Sequence, residues 1–91
     1  MGPVEAELVR RLTASFAPIE LEIENESHRH AGHAGDDGSG ETHFRVHLTS
    51  PNFVGLSRLE RQRRVHAVLA DLLATRIHAL ALRCRAPGED G

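Results

Sequence analysis

Histidine is the residue type in this chain whose number and spacing point most directly to chemistry. Seven of the 91 residues are histidines. Four of them fall within sixteen positions: His28, His30, His33 and His43. A fifth, His78, lies where a helical pattern gives way to a strand pattern. Imidazole is a frequent ligand of iron, zinc, copper and nickel. Each loop histidine taken singly also fits a solvated surface residue, so the spacing alone leaves both interpretations open.

Other kinds of site have weaker support in the sequence. We find no carboxylate pair on rigid elements, no Ser or Cys nucleophile with a base beside it, and no phosphate-binding glycine loop. We therefore expect no enzymatic activity. A single cysteine excludes an internal disulfide and fits a reducing compartment. In a strand, Cys84 would lie on the same face as Leu80 and Leu82 and on the opposite face from Arg83. This position predicts that Cys84 is a small buried hydrophobic residue.

The composition predicts one ordinary globular domain spanning 1–91, with its core at about 4–87. The apolar fraction is 40% and the charged fraction 26%, and the net charge of −2 gives no general attraction to nucleic acid or to an anionic membrane. No window approaches the roughly 20 apolar residues of a membrane span, and the start lacks a secretory segment. We expect a bacterial cytoplasmic protein, or a mitochondrial matrix protein if the host is eukaryotic.

The first half of the chain predicts a helix and two strands. Apolar spacing indicates a helix from about Pro3 to Phe16. Residues 19–24 and 42–49 alternate between apolar and polar side chains, as half-buried strands do. Between them, residues 26–41 are rich in Gly, Asp, Ser and His, which predicts a mobile hairpin loop.

The second half predicts one long helix and a third strand. Ser57 and Glu60 form a capping-box pattern. An apolar stripe follows at Leu59, Val65, Leu69, Leu72 and Leu73, and we expect the arginines Arg58, Arg61, Arg63 and Arg64 on the opposite side. After Thr75 the period changes to two, which suits a strand, and the tail 86–91 is expected to fray.

This α-β-β-α-β order predicts an α+β fold. The first two strands would form an antiparallel hairpin, and the second strand, long helix and third strand a right-handed crossover. We therefore expect a three-stranded mixed sheet with the helices packed on one face. The acidic side of the first strand would face water.

Four segments of the chain, in order, resemble the signatures of the BolA family. They are Asn25-Glu26-Ser27-His28-Arg29-His30, then Glu41-Thr42-His43-Phe44-Arg45-Val46, then Phe53-x-Gly55 with Arg61-x-Arg63-x-Val65, and finally Ile77-His78-Ala79-Leu80. The resemblance runs from about Val4 to Pro87. It departs from the family at Gln62, where a histidine is usual. The resemblance implies a KH-like fold, which agrees with the element order.

The same resemblance implies a function and a ligand set. It implies a non-enzymatic partner of a monothiol glutaredoxin, forming a heterodimer that shares a 2Fe–2S cluster with glutathione. The resemblance assigns His78 and His30 as cluster ligands, with His28 and His33 as loop alternatives. We expect the free chain to be a monomer that binds no cluster alone. The implied role is iron–sulfur cluster trafficking or iron and redox regulation.

Two further interpretations stay open. Bacterial members of the family are also described as transcriptional regulators, and the arginines Arg58, Arg61, Arg63 and Arg64 could contact DNA phosphates. The same arginines fit glutathione carboxylates, an acidic patch on a protein partner, or a solvated face. The histidine-rich loop could also store or sense metal by itself.

Overall fold

The computed structural model describes residues 1–30 and 38–89, except for the side chains of residues 29 and 30. The elements, in chain order, are α1 (Pro3–Phe16), β1 (Glu20–Asn25), a 3-10 turn (Ser27–His30), β2 (His43–Thr49), a second 3-10 turn (Pro51–Phe53), α2 (Arg58–Val68), α3 (Ala70–Thr75) and β3 (Ala79–Arg85). The predicted α+β order is confirmed.

The three strands form one mixed sheet in the order β1-β2-β3. β2 pairs antiparallel with β1 and parallel with β3. One face of β2 carries Phe44, Val46 and Leu48, which are buried against the helices. The opposite, open face of the sheet carries the alternate residues, among them Glu22 on β1. Strand alternation therefore placed the core face correctly.

α1 matches its predicted bounds because its apolar residues keep the helical period. Val4, Leu8, Leu12 and Phe16 are buried in the core. At its start, Glu41 from the segment before β2 caps the helix. The Oε2 atom of Glu41 accepts a hydrogen bond from the backbone N–H of Glu5 at 2.9 Å.

The predicted long helix is bent into two pieces at Leu69. Leu69 has φ −103° and ψ 11°, outside the helical range, yet its N–H donates to Val65 O at 3.1 Å. The N–H of Leu73 in turn donates to Leu69 O at 3.0 Å. Hydrogen bonds thus cross the bend, and α2 and α3 pack as one bent helix. The start is as predicted, since the Ser57 hydroxyl accepts from the N–H of Glu60 at 3.1 Å.

The predicted stripe of α2 is wrong at Leu59 and at Arg61. Leu59 is 58% exposed, whereas Arg61 is 8% exposed. The helical period explains the exchange. Leu59 precedes Val65 by six residues, so it points about 120° away from it, whereas Arg61 lies four residues before Val65 and shares its face.

Arg61 ties the chain end to the domain. Its guanidinium donates to both carboxylate oxygens of Glu89, at 2.6 and 2.9 Å, and lies 5.9 Å from the Phe53 ring centroid. These bonds to Arg61, together with the N–H of Ala86, hold the pKa of Glu89 down at about 2. Ala86 is buried. The sequence predicts that the tail frays from residue 86. In the structure, by contrast, Arg61 binds the chain at Glu89.

We predict that Gly2→Ala destabilises the fold through the Glu41 cap. A Cβ built on Gly2 would overlap the buried Glu41 carboxylate. That carboxylate would have to leave the N–H of Glu5, at a cost of about 1 kcal/mol in the free energy of unfolding. The measurement is urea denaturation of Gly2→Ala, Glu41→Ala and the double variant.

If displacement of the cap is the cause, the double variant is no less stable than Glu41→Ala alone, because the clash and the cap are lost together. Full additivity of the two single losses would contradict this explanation.

Candidate ligand site at the His78 edge

The sheet brings the predicted histidines to one of its ends. β1 runs antiparallel to β2 and β3 runs parallel to it, so the end of β1 meets the starts of both other strands. The pairs Asn25↔Phe44 and His43↔Ala79 mark this end. The loop that follows β1 therefore starts beside His78. We call Ser27, Thr42, His43 and His78 the histidine edge.

Ser27 closes the base of the loop. Its hydroxyl oxygen accepts hydrogen bonds from the backbone N–H groups of Thr42 at 2.8 Å and His43 at 3.0 Å. The side-chain amide of Asn25 binds both ends of the loop. Its oxygen accepts from the N–H of Ser27 at 2.9 Å, and its nitrogen donates to Gly40 O at 2.7 Å. The residues of the Asn-Glu-Ser segment thus fix where the loop leaves and re-enters the sheet.

Thr42 connects the loop to His78. Its carbonyl oxygen accepts from the N–H of His78 at 2.8 Å and from that of Ala79 at 3.2 Å. Its hydroxyl lies 2.8 Å from Nδ1 of His43. One residue therefore holds the backbone of His78 and orients the ring of His43.

The rings of His43 and His78 lie against each other. Their centroids are 5.4 Å apart and their planes are inclined by 48°. His43 is buried, at 6% exposure, while His78 is exposed. In the strand pattern of residues 42–49, His43 shares the polar parity of Arg45, which predicts a surface strand residue; that prediction is wrong. Strand parity correctly places His43 on the open face of the sheet. At this end of the sheet, however, Thr42 and His78 pack over the His43 ring.

The loop histidines are placed only in part. His28 is exposed, and the backbone of His30 belongs to the 3-10 turn that begins at Ser27. The side chain of His30 and the whole of His33 lie outside the described residues. Their assignment as ligands therefore stays a prediction.

His78 is the predicted ligand whose surroundings the structure describes most fully. Within residues 1–30 and 38–89, no group of three or more His, Cys, Asp or Glu side chains is arranged to hold a metal ion. His78 nevertheless offers an exposed imidazole on a fixed backbone. Further ligands would have to come from the loop or from another molecule.

Cys84 is not available as a further ligand. It is 9% exposed, and burial raises the pKa of its thiol to about 11. A thiol that stays protonated at neutral pH is a poor ligand. The prediction that Cys84 is a buried hydrophobe is confirmed.

The predicted arginine cluster separates into two parts. Arg58, Arg63 and Arg64 are exposed on α2, and Arg64 lies 3.3 Å from the carboxylate of Glu60. Arg61 is turned inward and bound to Glu89. The exposed part alone remains available for contact with a large partner.

Comparisons with known proteins agree on one family. The model of the family described as "BolA-like protein" matches residues 12–89. The chain is 48% identical to the human protein "BolA-like protein 1" over 89 residues, covering 98% of this chain and 62% of that protein. It thus spans less than two thirds of that relative's length.

A bacterial relative and a solved structure extend the comparison. The chain is 40% identical over 79 residues to "DNA-binding transcriptional regulator BolA" of Escherichia coli, covering 87% of this chain and 71% of that protein. The structure of BolA1 from Arabidopsis thaliana superposes with a TM-score of 0.88 at 35% identity, covering 100% of this chain and 99% of that one. None of the helices in the described part of the chain has the length and apolar content needed to cross a membrane.

We predict that Ser27→Ala loosens the histidine edge. The substitution leaves the buried N–H groups of Thr42 and His43 without their acceptor, which should cost about 2 kcal/mol or more in unfolding free energy. Urea denaturation measures the loss, and NMR shifts of the His43 and His78 ring protons report the local change. Ser15→Ala, at an exposed position of α1, is the control and should change stability by less than about 0.5 kcal/mol. Equal stability of the two variants would refute the role given to Ser27.

Proposed function

Because the chain belongs to the BolA family, we propose that it is a non-enzymatic adaptor that binds a monothiol glutaredoxin and shares a 2Fe–2S cluster with it. In this proposal His78 supplies one ligand and a loop histidine supplies the second. His30 is the first choice, with His28 and His33 as alternatives. Glutaredoxin and glutathione would supply cysteine sulfurs. The role would be cluster trafficking or iron and redox regulation.

The placement of His78 is the observation that supports this proposal most strongly. Its backbone N–H is bound by Thr42 and its ring packs on one side against buried His43, while the residue remains exposed. A ligand held in this way loses little conformational freedom when a metal group arrives. The isolated chain lacks a complete ligand set among its described residues, which fits a cluster completed by a second protein.

The chemistry of imidazole also fits a 2Fe–2S cluster. Iron accepts imidazole nitrogen, and replacing two cysteines by two histidines on one iron raises the reduction potential, as in Rieske centres. The cluster would supply one-electron chemistry or transferable iron and sulfide. The chain's own contribution would be to present His78 and to dock the partner.

We predict that His78→Ala abolishes the spectral change that accompanies complex formation. Mixing the purified chain with cluster-loaded monothiol glutaredoxin should alter the visible absorption and circular dichroism, because two sulfur ligands are exchanged for nitrogen. The affinity for the cluster-loaded partner should fall by about tenfold or more in His78→Ala, as expected for loss of a first ligand. His66→Ala is the matched control, since His66 is exposed on α2 away from the edge.

Substitutions of the remaining histidines assign the second ligand. His28→Ala, His30→Ala and His33→Ala are compared with His43→Ala. If His30→Ala loses the spectral change on complex formation and His43→Ala retains it, the second ligand is a loop histidine. The reverse pattern would place the second ligand on β2. A His78→Ala spectrum and affinity identical to wild type would reject the ligand assignment altogether.

DNA binding is a second candidate, favoured by the name of the Escherichia coli relative. The exposed arginines Arg58, Arg63 and Arg64 occupy the first two turns of α2, where they could contact phosphates. Arg61, held by Glu89 and Cys84 O, is poorly placed to join them. The overall charge of −2 gives no general attraction, so this interface would depend on few contacts.

We predict that, if this second candidate is correct, Arg63→Gln reduces the salt dependence of duplex DNA binding. Each lost phosphate contact lowers the slope of log K against log salt concentration by about one. Fluorescence anisotropy at several salt concentrations measures this slope, and Arg76→Gln at the end of α3 is the control of equal charge. Absence of any DNA binding at about 50 mM salt, where phosphate contacts are strongest, would eliminate this candidate.

A further inference from the structure

A groove lined by five arginines runs beside β3, from Ala81 to Arg85. Its volume is about 600 Å³. The arginines are Arg45, Arg58, Arg61, Arg83 and Arg85, and Glu89 is the carboxylate among the lining residues that the structure describes. We call this feature the arginine groove. Such a local excess of positive charge is unusual on a chain whose net charge is −2.

Three elements converge to build the arginine groove. Strand alternation and register put Arg45, Arg83 and Arg85 on the open face of the sheet. Around the outer edge of β3, the start of α2 brings Arg58 and Arg61 alongside. The groove therefore follows from the sheet register together with the inward turn of Arg61.

Arg85 has a charged donor that the fold leaves unsatisfied. Its Nε atom is buried, and no hydrogen-bond acceptor reaches it among the described residues. Elsewhere in the groove, Arg61 pairs with Glu89, and Arg45 pairs with Glu26 at 3.3 Å. A buried charged donor without an acceptor is costly and rare in folded proteins. Because Arg85 also lines the groove, a turn of its side chain toward the opening would let an acceptor from outside the chain remove that cost.

The edge of β3 is closed to an added peptide strand at two of its carbonyls. Arg61 donates to Cys84 O at 3.2 Å, and Gln62 donates to Leu82 O at 3.3 Å. A peptide that extended the sheet would need these acceptors for its own N–H groups. The ligand is therefore better sought among compact anions than among extended peptides.

We propose that the arginine groove binds a small anion that carries a chain of phosphates, with Arg85 as the principal donor. Guanidinium forks match phosphate oxygens, and several closely spaced arginines suit a ligand with several charges. The described lining contains no Phe, Tyr or Trp ring, and His47 supplies its one imidazole, so base stacking would have little support. Recognition would therefore be of the phosphate chain, whether free as tripolyphosphate or attached to a nucleoside.

The test is isothermal titration of the full chain with sodium tripolyphosphate at about 50 mM salt, where phosphate contacts are least screened. We expect saturable binding of one ligand per chain. Arg85→Gln should weaken it by about tenfold, the effect of losing a charge-assisted hydrogen bond. Arg58→Gln, at an exposed position of the same groove, should also weaken it. Arg76→Gln, at the end of α3, should keep the affinity within about twofold of wild type.

These variants separate the arginine groove from general charge effects. Absence of saturable heat, or an equal loss in Arg76→Gln and Arg85→Gln, would overturn the proposal. If Arg85→Gln fails to fold by circular dichroism, Arg58→Gln against Arg76→Gln decides the question. His78→Ala should bind tripolyphosphate as wild type does, so that this outcome is independent of the iron–sulfur proposal.

Competing ligands separate the possible sources. ATP binding close to tripolyphosphate, with AMP much weaker, supports recognition of the phosphate chain. AMP binding as tightly as ATP would overturn it, because the nucleoside would then be the recognised part. The proposal would also be overturned if duplex DNA displaced tripolyphosphate from the wild-type chain and bound Arg85→Gln more weakly. The groove would then be a nucleic-acid surface.

Discussion

The start of β2 is the point on which the histidine edge depends. There the Ser27 hydroxyl accepts from two backbone N–H groups, and the Thr42 carbonyl accepts from the N–H of His78. Each such bond contributes only about 1 kcal/mol, but the two bonds to Ser27 are buried, where an unmade bond costs more. Because β2 is the central strand, these bonds position β1, the loop and β3 relative to one another.

Arg61 has a comparable role at the opposite end of the sheet. It binds Leu56 O, Cys84 O and the carboxylate of Glu89, joining α2 to the edge of β3 and to the chain end. A guanidinium can do this because its five donors are fixed in one plane and its flat group can lie over an aromatic ring, as that of Arg61 does over Phe53. The same arrangement explains why a charged residue is found on the buried face of α2. Its charge is compensated and its donors are used, so burial is tolerated.

Much of this structure could be predicted from the sequence, and the exceptions share a cause. The bounds of α1, the β1–β2 pairing and the burial of Cys84 follow from local periodicity, which is strong in those segments. At Leu59 and Arg61 the prediction gave residue type more weight than helical position, and at His43 strand parity gave the face but not the burial. The partner that compensates the Arg61 charge, Glu89, lies 28 residues away, and the ring that covers His43 belongs to His78, just before β3. The bend at Leu69 carried no Gly or Pro signal. The hydrogen bonds of Ser27 were likewise invisible before strand pairing was known, although the Asn-Glu-Ser segment marked the right place.

His78 of the histidine edge and Arg85 of the arginine groove lie at opposite ends of β3, although the groove lining reaches back to Ala81. His78 directly precedes β3 and Arg85 is its last residue, so the seven-residue separation spans about 23 Å in an extended strand. This exceeds the Debye length of about 8 Å at physiological salt, so charge at one end is largely screened from the other. A bound anion at Arg85 would therefore change the affinity of His78 for a metal group little by direct electrostatics. Any coupling would have to pass through the register of β3 against β2, which the core residues Phe44, Val46 and Leu48 hold fixed. With this register held by the core, binding at Arg85 and binding at His78, as proposed, would be independent of each other.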